Sequence, residues 1–103
     1  MPPTPTALDP SDEIILTAME RFPSLKAYAD RYRAAGCFRP GVFTDEFTAA
    51  GHGSGAHHAY RFILALWNGS APAGNFDAVK AMQAWDSAHA AAFLAWVDNP
   101  EMP

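Results

Sequence analysis

The stretch SGAHHAYRFILALWN, residues 54–68, decides the fold. After Arg61 it runs Phe62, Ile63, Leu64, Ala65, Leu66 and Trp67, with no polar side chain to mark a solvent face. A helix apolar nearly all round belongs in the centre of a bundle. The segment is therefore expected as a buried central helix, capped by Ser54 and closed by Gly69.

The flanking sequence punctuates into further helices. Asp9 and Pro10 read as an N-cap and first helical residue, with Asp12 and Glu13 in the first turn. Ile15, Ala18, Met19 and Phe22 follow at helical spacing until Pro23 stops the run. Ser24 is the expected cap of a second helix, striped by Leu25, Tyr28, Ala29 and Tyr32 and closed by Gly36. CFRPGVF (37–43) is expected as a type II turn at Pro40-Gly41, either between two very short strands or as a packed loop. Thr44 then starts a brief helix through Ala50. Beyond the central helix, 69–75 read as a loop, and Asn75 as the cap of a helix carrying Phe76, Val79 and Met82 or Gln83 to near Trp85. Asp86 caps a last helix bearing Phe93, Leu94, Trp96 and Val97, halted before Pro100. The expectation is an all-α, compact single-domain bundle of five or six short helices: a proline-rich tail over 1–8, the helical domain over 9–99, and a short tail over 100–103.

Composition narrows the function classes. Half of the 103 residues are hydrophobic and 13% are aromatic, enough for one core and too rich for disorder. No apolar run approaches the roughly 20 residues of a membrane span. MPPTPTALDP lacks the cationic and apolar regions of a signal peptide, and a single cysteine, Cys37, suits a reducing compartment, so a cytoplasmic location is expected. The net charge of −4, from 11 acidic and 7 basic side chains, argues against general nucleic-acid binding. Charge is unevenly spread. Lys26, Arg31, Arg33 and Arg39 stand against Asp30 alone in 25–39, while 62–103 hold four acids and only Lys80. This separation suits a protein partner, with the four cations, or else the 52–61 region, as the candidate partner-binding face.

GHGSGAHHAYR (51–61) is the stretch that most invites a chemical reading. A nucleophile elbow needs glycines two positions either side of the serine, but His52 and Ala56 flank Ser54 there. A phosphate-binding P-loop needs Lys and Ser/Thr after its last glycine, where this chain has Ala56 and His57. His57 and His58 are adjacent, about 100° apart on a helix, and do not share a metal easily. Neither a metal nor a cofactor is expected. What survives is an anion-binding candidate at the helix start, Ser54, His57, His58 and Arg61, where acidic residues normally sit. Asp45 and Glu46 are its internal counter-charge candidates. Elsewhere Cys37 reads as a buried inert thiol, and Asp86 with His89 as a capping pair. Trp67 is expected in the core. Trp85 and Trp96 are expected there too, unless one is partly exposed as a binding anchor.

Two segments carry a resemblance. SGAHHAYRFILALWN (54–68) and FDAVKAMQAWDSAHAAAFLAW (76–96) resemble short bacterial proteins of unassigned activity, with the patterns S-G-A-x-x-A-x-R-F-x-L-x-x-W-N and F-D-x-x-x-A-x-x-x-W-D-x-x-H-x-x-A-F-L-A-W. The resemblance covers under half of the chain and implies a link to mobile genetic elements. The leading expectation is a non-catalytic interaction module that docks on a larger protein or nucleoprotein complex, in its specific version an anti-CRISPR-like inhibitor from a phage or other mobile element. The alternatives are a small anion- or metal-dependent enzyme or sensor centred on 52–61, and a structural homo-oligomer.

Overall fold

Residues 54–68 form one continuous helix in the computed structural model, which describes residues 8–69 and 75–103. The described residues form six helices and no strand: α1 (Pro10–Arg21), α2 (Lys26–Ala35), α3 (Pro40–Ala50), α4 (Ser54–Asn68), α5 (Ala78–Ala84) and α6 (Ser87–Asp98). The expected tail over 1–8 and loop over 69–75 fall largely on residues 1–7 and 70–74, outside the described residues. Leu8, assigned to that tail, packs against the core.

α4 is buried because two of its faces are used. Tyr60 and Phe62 are two positions apart, about 200° around the helix, so they project to nearly opposite sides. Tyr60 stacks on Phe47 of α3, with centroids 4.5 Å apart, inside a cluster with Tyr28, Tyr32, Phe38 and Phe43. Phe62 enters a second cluster, with Phe22, Phe76, Phe93 and Trp96 at centroid distances of 5.2–5.8 Å. Between the two lies aliphatic packing from Ile15, Leu16 and Met19 of α1 and Ile63 and Leu66 of α4. α1 touches α2, α4 and α6, and α4 touches α1, α3 and α5, so α1 shares the centre with α4. Trp67, expected in the core, is only partly buried at its edge, 5.3 Å from Phe38.

Four local expectations are corrected. Pro40 is the first helical residue of α3 rather than part of a type II turn, with extended Arg39 before it. Proline's fixed φ serves both conformations, so the local signal does not separate them. Ser24 does not cap α2; Leu25 stands at that position and contributes no side-chain bond. Ser54 is inside α4, whose cap position is held by Gly53. Asn75 does not cap α5; it takes a positive φ of 54°, and Asp77 accepts from Lys80 N at 3.1 Å instead. Phe76 thereby leaves the helix, Val79 and Met82 face solvent, and Ala81 is the α5 residue that is buried. Elsewhere the punctuation holds. Asp9 and Asp86 cap α1 and α6, and Gly36 ends α2 at φ 81° with its N–H on Arg33 O and Tyr32 O.

Phe22 is fully buried where the α1–α2 corner meets α4 and Trp85, so its removal leaves a cavity that backbone cannot fill. Phe22→Leu should lower unfolding stability by about 1–2 kcal/mol and Phe22→Ala by about 3–5 kcal/mol. Exposed Val79→Ala should stay within about 0.5 kcal/mol in the same urea titration.

Candidate functional site

The four residues of the anion-binding candidate are spaced i, i+3, i+4 and i+7 in α4 and so share one side of its first two turns, within an arc of about 100°. His57 lies on the Tyr60 side, edge-on to Phe47 with centroids 5.1 Å apart. His58, on the Phe62 side, feels Asp77 and Lys80 of the α5 region. Arg61 sits one turn from His58, and exposed Ser54 lies at the helix start. His58 feels the charge of both Arg61 and His57. Glu46, one of the site's two internal counter-charge candidates, is engaged by Arg31. His52 is fixed structurally. It stacks on Phe47 at 4.4 Å and shares a 2.7 Å hydrogen bond with the Tyr28 hydroxyl, which burial holds above its usual pKa. Among the described residues no three His, Cys, Asp or Glu side chains are grouped to hold a metal ion.

The capping pair at α6 is one half of a longer chain. Asp86 Oδ1 accepts from His89 N at 2.9 Å and pairs with His89 Nδ1 at 2.8 Å; these bonds hold the Asp86 carboxyl below its usual range. His89 Nε2 meets Ser24 Oγ at 2.8 Å. A proton on Nδ1 satisfies all three groups, with Nε2 accepting from the serine hydroxyl. Ser24 is thus diverted from capping α2 to pinning the α1–α2 corner onto α6, 65 residues away. Hydroxyl, imidazole and carboxylate stand in the order of a serine-hydrolase relay, but the two cavities described below are lined by other residues. A second long tie joins the two segments of the resemblance. Trp85 Nε1 donates to Gly55 O at 2.9 Å, which seats the α5–α6 junction on the start of α4.

The cationic face is largely spoken for within the molecule. Lys26 pairs with Asp30 at 3.0 Å, Arg31 with Glu46, and Arg33 with Glu13 at 2.7 Å and Glu20 at 3.3 Å. Exposed pairs of this kind contribute about 0–1 kcal/mol each, but they do cancel the outward field of the face. Arg39 alone of the four has no carboxylate partner among the described residues. Arg31 and Arg39 share a cavity of about 460 Å³ with Tyr32, Cys37 and Glu46. Cys37 is half-buried in its wall rather than enclosed in the core.

The surface that sequence reasoning missed is at the other end. α6 reads SAHAAAFLAWVD, yet Ala92 is its one fully buried residue. His89, Ala92, Phe93 and Trp96 face inward, while Leu94 (50% exposed) and Val97, one turn apart, face solvent. Val79 (69%) and Met82 of α5 and Met102 (56%) are also exposed. Beside them lies an apolar cavity of about 280 Å³, lined by Phe62, Phe76, Phe93, Trp96 and Met102. Trp96 is the half-exposed tryptophan; its indole donates to Glu101 O at 3.0 Å. Asp77, Asp86, Asp98 and Glu101 are all exposed, and within residues 75–103 Lys80 is the one basic side chain against them. The signal was present in the near-absence of a polar face on α6, which demands burial against something. Among the described residues no helix is long and apolar enough to cross a membrane. Comparison with known proteins finds no matching family model, no matching curated protein and no matching solved structure.

Two outcomes follow from the buried polar contacts. Ser24→Ala leaves His89 Nε2 half-buried without its partner, and should cost about 1–3 kcal/mol, with faster amide exchange in α6 rather than α2. His58 is held below its ordinary pKa of 6.5, by burial first and then by Arg61, with Asp77 opposing, and its Nδ1 is buried without a partner. A folded-state pKa below the unfolded one gives stability that is complete above 6.5 and lost as pH falls through that value. His58→Gln should flatten the decline of Tm between about pH 7.5 and about pH 5.

Proposed function

We propose that the chain is a non-catalytic interaction module that docks on a larger protein through the α5–α6 face. The observation that carries this reading is α6 itself: an apolar helix whose Leu94 and Val97 face solvent beside an aromatic-lined cavity. Exposed apolar patches with a polar rim mark interaction sites. Here the rim is acidic, so the fitting partner presents an apolar patch bordered by Lys and Arg. A second copy fits less well, because a two-fold contact would set acidic rim against acidic rim. In its narrower form the reading is an anti-CRISPR-like inhibitor of phage or mobile-element origin, covering a basic surface that otherwise handles nucleic acid. The internal pairing of Lys26, Arg31 and Arg33 supports the choice of this face over the cationic one.

Capture from bacterial lysate by immobilised wild type should recover a protein that Leu94→Glu/Val97→Glu fails to recover, while circular dichroism shows that variant folded. Lys26→Ala/Arg33→Ala should still recover it. Equal recovery by the α6 variant would overturn the assignment of the surface. A concentration-dependent dimer in light scattering that the α6 variant abolishes would replace the partner by a second copy.

A further inference from the structure

We propose that the groove between α2 and α3 binds a small organic anion, one carboxylate or phosphate group on an aromatic or branched aliphatic body. Its volume of about 460 Å³ falls within the range of small-molecule sites. Arg31 and Arg39 outnumber Glu46 in its lining, so the groove is cationic on a chain whose net charge is −4.

The two arginines have different states. Arg31 is committed, paired with Glu46 and lying 5.2 Å and 5.8 Å from the ring centroids of Tyr28 and Tyr32. Arg39, in the extended residue before α3, keeps its guanidinium fork available for bidentate contact with a carboxylate or phosphate. Tyr32 supplies the independent observation. The residue is 7% exposed and lines the groove, yet its hydroxyl has no hydrogen-bond partner among the described residues. Buried hydroxyls are ordinarily partnered. Burial, reinforced by the Glu46 charge and a loose contact with the Glu46 carboxylate, pushes this phenol up to about 12, so at neutral pH it keeps its proton and can donate to a better-placed acceptor. Val42, exposed on α3, supplies the apolar side. Cys37, in the wall, is a built-in reporter of occupancy.

The site is independent of the α5–α6 face and is tested separately, by amide NMR titration of the full chain with phenyl phosphate, benzoate, phenol and inorganic phosphate. Saturable shifts confined to residues 31–46 are expected with phenyl phosphate or benzoate in the millimolar range, and the tighter of the two identifies the anionic group. Arg39→Gln should weaken that binding ~10-fold or more, and Tyr32→Phe should weaken it less. The bound aryl anion should slow alkylation of Cys37 by iodoacetamide. No saturable shift with either aryl anion, an equal response from phenol, or unchanged binding by folded Arg39→Gln would overturn the proposal. Inorganic phosphate binding as tightly as phenyl phosphate would overturn the apolar part of the assignment.

Discussion

Everything in this molecule hangs on the two-sided burial of α4. Tyr60 and Phe62, about 200° apart on the helix, each seed an aromatic cluster, and α1 fills the space between them. The run from Phe62 to Trp67 is therefore a structural requirement before it is anything else. His57 and His58, about 100° apart, lie at the two margins of the helix side that Ser54 and Arg61 share, His57 against Phe47 and His58 toward the α5 region.

Secondary ties hold the periphery to this spine, and they run over long sequence distances. Ser24 reaches His89, Tyr28 reaches His52, Trp85 reaches Gly55, and Phe38 N donates to Asp12 Oδ2 at 3.3 Å. Each uses a polar group that would be costly to leave half-buried and alone. His52 and His89 are thus spent on architecture, and a loop dense in glycine and histidine turns out to be a hinge between α3 and α4.

Legibility in the sequence followed the range of the interaction. Helix periodicity and the caps at Asp9 and Asp86 are local, and they read correctly. Ser24 misled because the rule that makes it a cap knows nothing of a histidine 65 residues away. Pro40 misled because one φ value serves a turn and a helix start equally. Asn75 lost to Asp77, two residues on, and that shift turned Val79 and Met82 outward. The pairing of Arg31 with Glu46 and the stranded hydroxyl of Tyr32 depend on how α2 and α3 dock, which no spacing encodes. The outward face of α6 was legible in principle, since the helix has too little polar surface for solvent. Sequence pattern alone could not say that the core had no room for it.

Two apolar helices meet opposite fates: α4 anchors both aromatic clusters, and α6 is left with an open side. Native-state hydrogen exchange of the free chain measures this directly, residue by residue. The slowest amides should lie in α1 and α4, with α6 exchanging faster as a less deeply anchored unit. Amides of α6 exchanging as slowly as those of α4 would mean that its outer face is already covered in the free protein, and would contradict its role as the docking surface.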